Sequence, residues 1–410
     1  MARKCLCKAF LISVVLAQTM ATLARAQDTD TPETENILTS SQNWSKNWQD
    51  SWREDLAARQ SFWQEFFRWQ VSENTLVRIY GQINVGHLNY RDGNADLNTT
   101  RDNPNSPSRL GVRLDMDFEN GGNLFLNLES GFAQGTYDGV FRDGVGISGS
   151  DAWNKTLLRK AEGRIYHPNF GYFSLGQGSM AADGITGFDF SGTTVVSYSS
   201  VGDTISGIPA RQMDGTESPF YMQSFFPVFD ASRRLRLRYD SPVRNDMSVS
   251  FSVGREVLIE DDDNTYADFA LRYDANWQGF GIKGGVGYSY NGSSPAFLSG
   301  SVAGLHDTTG FNFAMAAGGN NANGRYVYGK LGIIRQLIPA GSTAFSVDYY
   351  NSWDPQPAAN ASRSWGVSIV QEIDLRDMEL YATYRDYAVD GTVVSYLDSQ
   401  AVLIGARFSW

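Results

Sequence analysis

Few residues of this 410-residue chain are placed for covalent chemistry. The three histidines, His87, His167 and His306, lie far apart, with no metal-ligand spacing. Gly144-Val145-Gly146-Ile147-Ser148-Gly149 fits a GxGxxG pattern. It neither follows a clear strand nor opens a helix, so a flexible loop is expected. No nucleophile, base and orienting group come together, and neither catalysis nor a bound cofactor is expected. The acidic run Asp261-Asp262-Asp263 has two readings. It is a solvated loop tip, or it holds Ca²⁺, for which no ligand spacing is visible. What the chain does supply is cations on alternate positions. Arg234, Arg236 and Arg238 alternate with Leu235, Leu237 and Tyr239, and Arg109 and Arg113 flank Leu110 and Val112. Arg78, Lys160 and Arg164 stand in similar settings. Cations lining a narrow gap orient and sort charged solutes. The same cations could instead pair with acids on a facing segment and pin it.

Such residues share a face only if strands carry them, because period two sends neighbours to opposite sides. The alternation is sustained. Ile79, Ile83 and Val85 oppose Arg78, Gln82 and Asn84, and Leu124, Leu126 and Leu128 oppose Asn123, Asn127 and Glu129. Met247, Val249, Phe251 and Val253 alternate with serines, and Val402, Ile404, Ala406, Phe408 and Trp410 end the chain on one face. Sixteen strands are expected, near 77–90, 109–119, 123–133, 153–166, 171–179, 232–240, 247–257, 265–277, 281–291, 297–308, 311–319, 325–338, 343–353, 363–376, 378–388 and 396–410. The tenth and eleventh, rich in Gly and Ala, carry the faintest pattern.

The ends set the compartment. Arg3, Lys4 and Lys8, the apolar run from Ala9 to Ala17 and Ala24-Arg25-Ala26 form a cleaved export signal over 1–26. Its removal takes four basic residues and no acid, so the formal charge falls from -11 to about -15. That balance excludes a nucleic-acid partner and hints at cation preference through the surface field. Cys5 and Cys7 leave with the signal, so neither a disulfide nor a thiolate metal site is expected. Beyond it no stretch approaches 18 consecutive apolar residues, which excludes a transmembrane helix. A chain that crosses lipid without such a run does so as a closed barrel, polar inside and apolar outside. Arginine on the lipid face would cost about 2–4 kcal/mol near the midplane, so the arginines belong inside. Short connections after even strands and mostly longer ones after odd strands match periplasmic turns and external loops. Tyr80, Trp153, Tyr172, Trp277, Trp353, Trp365 and Trp410 are candidates for the aromatic girdles.

Residues 27–75 precede the barrel of 76–410 as an extension. Trp44, Trp48, Trp52 and Leu56, followed by Phe62, Trp63, Phe66, Phe67 and Trp69, give a helical stripe over 41–70. A trimeric coiled coil, packing at the barrel mouth and a luminal plug are its three readings. The missing heptad disfavours the first, and an apolar stripe suits a polar lumen poorly. Packing on the periplasmic side is therefore preferred.

Tyr80-Gly81-Gln82-Ile83-Asn84-Val85-Gly86, the Arg109–Arg113 to Leu128–Phe132 hairpin, Phe170–Gly178 and the terminal Phe408-Ser409-Trp410 resemble, in order, the Gram-negative general porins. The resemblance implies a homotrimeric sixteen-stranded barrel of the outer membrane, passing ions and small hydrophilic solutes by passive diffusion. It implies outer-membrane lipid as surroundings and recognition of the Phe408/Trp410 strand by the assembly machinery. It also implies a third loop, here about 180–231, that folds inward so that its acids face basic wall residues. Asp183, Asp189 and Asp203 are the candidates for that constriction, with Asp214 and Glu217 further along. The facing pore wall would be Arg78, Arg109, Arg113, Lys160, Arg164, Arg234, Arg236 and Arg238. Two rivals are a substrate-selective channel for a sugar or anion and a secreted soluble all-β binding protein. The second does not account for the loop pattern or the aromatic carboxyl terminus.

Overall fold

Alternation fixes both the strands and the side each residue faces. The computed structural model describes residues 67–131, 158–259, 262–292, 295–356, 358–374 and 377–410. The export signal, residues 41–66 of the expected helix, Trp153 and Asp261 lie outside them. The first half of the barrel wall comprises β2 (Thr75–Arg91), β3 (Asp96–Asp102) continued by β4 (Arg109–Asp117), β5 (Asn123–Gly131), β6 (Leu158–His167), β7 (Gly171–Ser179), β10 (Arg233–Asp240), β11 (Met247–Arg255) and β12 (Thr265–Trp277). The second half comprises β13 (Phe280–Asn291), β14 (Phe297–His306), β15 (Phe311–Asn320), β16 (Arg325–Ile338), β17 (Gly341–Gln356), β18 (Ala359–Ile373), β19 (Met378–Gly391) and β20 (Ser399–Ser409). Every wall strand pairs antiparallel with its sequence neighbours, and β20 pairs with β2 from Gln82↔Ser409 to Arg91↔Gln400. Counting β3 and β4 as one interrupted strand, the closed barrel has the sixteen strands expected from the sequence. Closure leaves no unpaired edge to face lipid.

The outer face is apolar. Leu110, Val112 and Leu128 are exposed there, as are Leu237, Phe251, Leu331 and Ile404. Trp277, Trp353 and Trp365 are also exposed, as girdle positions require. Tyr80 and Tyr172 are not girdle residues. They share the parity of Arg78 and Ser174, face inward and bond or stack on luminal groups. Trp410 lies over Gly81, where an added Cβ would come within 2.6 Å of its ring.

Three local expectations are corrected. The helix does not run to residue 70. Arg68–Ser72 (β1) is extended and pairs with β2 at Arg68↔Arg78, and Ile79 N–H donates to Phe67 O. The reason is an open ladder: β20 stops at Ser409, leaving the start of β2, paired with β4 on one edge, open on the other, and β1 fills that place. The second barrel strand begins at Asp96, not at 109, and an inward excursion over 103–108 interrupts it. The loop-length contrast is also incomplete, since only two residues separate β17 from β18. There the strands themselves are long, at 16 and 15 residues, against about 9–11 needed to span lipid.

The lumen is not uniformly wet. The 180–232 connection folds into it and carries a small hairpin, β8 (Pro209–Arg211) and β9 (Glu217–Tyr221). Val195, Val196, Val201, Ile205, Ile208, Met222, Phe225 and Phe226 of this loop form one buried cluster with inward Tyr326, Tyr328, Tyr350, Tyr381, Tyr387 and Leu403. Small residues let the loop lie against the wall. At Gly287 an added Cβ would come within 2.9 Å of Ala182, and Ala303 and Ala314 sit beneath Phe188 and Phe190. The Gly/Ala-rich tenth and eleventh strands are faint in sequence because their inner face receives a loop instead of water.

Candidate functional site

The loop's position follows from hydrogen bonds that wall side chains make to its backbone. Ser252 Oγ accepts from Ala181 N–H at 2.7 Å, and Ser301 Oγ donates to Ile185 O at 2.6 Å. Further round, Tyr350 donates to Pro227 O at 2.6 Å and Tyr387 to Val201 O at 2.8 Å. A buried loop must satisfy its peptide groups this way, because water cannot. Two buried ion pairs add charge to the anchor. Lys330 Nζ donates to Asp189 at 2.8 Å, Ser191 Oγ at 2.8 Å and Ser197 O at 2.6 Å. Arg385 holds Asp348 bidentately at 2.6 and 2.7 Å, and Asp348 accepts from Ser197 Oγ. The anchored loop covers the inner face of the later strands and reaches Leu88 and Tyr90 of β2 and Leu97 of β3, leaving the opposite wall, the first half of β2 and β4 to β10, outside this cluster.

That uncovered wall carries the predicted cations, all on the inward parity. They divide into two groups. Arg234, Arg236 and Arg238 are engaged. Arg234 lies near Glu256 at 3.2 Å and over the Tyr266 ring. Arg236 pairs with Glu162 and donates to Ser179 O and Gly176 O at 3.0 Å each. Arg238 pairs with Asp240 at 2.6 Å and donates to Met180 O at 2.9 Å. Arg272, not singled out in the sequence, donates to Ala181 O at 2.6 Å. Pinning therefore occurs, but through loop carbonyls and wall carboxylates; the loop acids are not the partners. Arg78 is likewise paired, with Asp115 at 2.8 Å.

Arg109, Arg113, Lys160 and Arg164 have no described carboxylate within the 4.0 Å ion-pair limit, and neither has Arg233. The nearby acids are already taken: Glu129 by Arg159 at 2.6 Å and Tyr80 at 2.8 Å, Glu162 by Arg236. Arg113 lies between the rings of Tyr80 and Phe125, at 4.7 and 5.1 Å. Arg164 lies between Phe125 and Tyr172, at 5.3 and 5.6 Å. Gly111 makes this stack possible, since a Cβ there would meet the Tyr80 ring at 2.4 Å. Expecting Tyr80 and Tyr172 in the aromatic girdles leaves these rings out of the predicted pore wall. The parity that turned Arg78 and Arg164 inward applies equally to Tyr80, Phe125 and Tyr172.

The three loop acids take three different places. Asp189 is buried against Lys330. Asp203 is half-buried and accepts a hydrogen bond from Tyr198, and desolvation pushes its carboxyl up to about 6. Only Asp183 has a carboxylate with no described hydrogen-bond partner, and it lies near Arg233 and Arg272. Its neighbour Asp230 accepts from Gly184 N–H at 3.0 Å and Thr186 Oγ1 at 2.8 Å. Burial, and then the Asp183 charge, push Asp230 up to about 7. Asp214 is exposed in a turn with Thr216, and Glu217 pairs with Arg211 at 3.1 Å. In the Asp261-Asp262-Asp263 run, Asp262 spends its carboxylate on Asn264 and Tyr266. Among the described residues no group of three potential ligands could hold a metal ion.

The profile of the Gram-negative porin family matches residues 56–410. No curated protein matches the chain. Solved structures with this fold include an anion-selective porin from Comamonas acidovorans, at 13% identity and TM-score 0.53, covering 82% of this chain and 100% of that one. In vitro-folded OmpT of Vibrio cholerae in its trimer form matches at 12% and 0.51, covering 82% and 100%. OmpF of Salmonella typhi in complex with daunomycin matches at 13% and 0.53, covering 83% and 100%.

Proposed function

The chain belongs to the Gram-negative porin family and is an outer-membrane channel for passive diffusion, and we propose that its passage runs along the β2–β10 wall and favours anions. The observation that carries this reading is the set Arg109, Arg113, Lys160, Arg164 and Arg233, none with a described carboxylate in ion-pair range. Two of the three candidate loop acids are spent elsewhere, on Lys330 and Tyr198. Unpaired charge in a narrow gap acts on a passing ion directly, whereas charge on remote surfaces is screened within about 8–10 Å. The acidic overall balance therefore does not set the selectivity. Asp183 and Asp230 supply the opposing side of the field.

The mechanism needs only the gap and its field, with no conformational cycle. The working unit on this reading is a homotrimer, with residues 1–26 removed on export and the remainder of 27–66 on the periplasmic side. The apolar outer wall meets outer-membrane lipid, and the Phe408/Trp410 strand is the part presented to the assembly machinery. Reversal potentials across planar bilayers in a KCl gradient test the selectivity. Wild-type channels should prefer chloride, and Arg113→Gln with Arg164→Gln should lower that preference at least threefold. Cation preference in the wild type, unchanged in the double variant, overturns the reading.

A further inference from the structure

Arg113 and Arg164 differ from the other luminal arginines in what surrounds them. One register step along the same strands, Arg78 pairs with Asp115 and Glu162 with Arg236, as structural cations do. Arg113 and Arg164 instead have an aromatic ring on each side and no described hydrogen bond or carboxylate partner. Tyr80, Arg113, Phe125, Arg164 and Tyr172 thus form an alternating stack across β2, β4, β5, β6 and β7, and Tyr166 extends it with a ring 4.6 Å from Tyr172. All of these residues are partly exposed to the lumen.

A guanidinium held between two rings keeps its plane fixed and its two terminal nitrogens available as a fork. The fork matches a carboxylate bidentately. Between the forks lie ring edges, which offer no hydrogen bond but do offer apolar surface. Inorganic anions gain from the forks alone, and an anion with a hydrocarbon body gains from both.

Building on the anion passage proposed above, we propose that this stack is a low-affinity binding site for organic carboxylates with an apolar body. The carboxylate sits on the terminal nitrogens of Arg113 or Arg164, and the hydrocarbon lies along the rims of Phe125, Tyr172 and Tyr166. Chloride conductance through the full-length channel in planar bilayers gives the test, with acetate, butyrate and hexanoate added as sodium salts and protein-free bilayers as controls. In the wild type the half-blocking concentration should fall about twofold for each methylene, since a fully buried methylene would give about fourfold. Phe125→Ser keeps both cations and should flatten the series. Tyr172→Ser serves as the second variant should Phe125→Ser fail to assemble, and it should halve the slope. A flat series in the wild type, or an unchanged slope in the assembled serine variants, overturns the site. Either result leaves the anion passage standing if reversal potentials still favour chloride, whereas a cation-preferring wild type would remove that passage itself.

Discussion

Lys330→Met tests whether the luminal loop is held as described. The ammonium is fully buried and uses all three donors, on Asp189, Ser191 and Ser197. The substitution keeps the length of the stem and removes the charge. Asp189, about as buried as its partner, then retains only the 2.6 Å bond from Ser191 N–H. An uncompensated buried charge of this kind costs about 3–5 kcal/mol. The barrel ladder does not depend on this pair, so the cost falls on loop docking. The undocked population should rise by about two to four orders of magnitude. Single-channel recording reports this as excess current noise and brief closures. Adding Asp189→Asn removes the orphaned charge yet still accepts from Ser191, so the double variant should return to within about 1–2 kcal/mol of wild type. Quiet Lys330→Met channels, or noise that the second substitution leaves untouched, would refute the idea that this pair holds the loop.

The other two predictions concern the same loop. Asp230 titrates at about 7 in the folded channel, against about 3.9 for a free carboxyl. The folded loop therefore binds this proton more tightly than the unfolded chain. Its contribution to docking is full below about pH 4 and is lost as pH rises through about 7. The same ionisation adds a negative charge beside Asp183. Chloride preference measured from reversal potentials should fall between about pH 6 and 8, and Asp230→Asn should abolish the change; a pH-dependent Asn variant would assign it elsewhere. Arg385→Met strands the buried Asp348 carboxylate with Ser197 as its remaining donor. Noise should resemble that of Lys330→Met, and Asp348→Asn should rescue it; a silent Arg385→Met would place loop docking on the apolar cluster alone.

Alternation made the barrel, its strand count and the inward arginines legible, because a lipid-facing arginine is too costly to tolerate. Two features escaped for physical reasons. A period-two pattern reports which side a residue faces but not what fills that side. Tyr326, Tyr350 and Tyr387 sit on the luminal parity, yet they pack against a loop and not against water. Nor does the pattern reveal which cation meets which acid. Lys330 and Asp189 are 141 residues apart, and Arg236 reaches Glu162 across 74. The end of the expected helix differs because Trp69 continues a helical spacing in sequence, while the open edge at the start of β2 offers a ladder that only closure creates.

Partition of the lumen ties these observations together. A sixteen-stranded barrel is wide enough to leave an aqueous lumen, so the wall alone does not decide what passes. Anchoring the loop on the later strands spends the acids Asp189 and Asp348 on holding it. The acids that could have neutralised the β2–β10 wall are thereby used in the anchor, or are paired locally as Glu129 and Glu162 are. On the proposed anion passage, positive charge stays unneutralised there because these acids are engaged elsewhere. That reading couples selectivity to loop anchoring through the same limited set of carboxylates, even though the chain as a whole carries eleven more acids than bases.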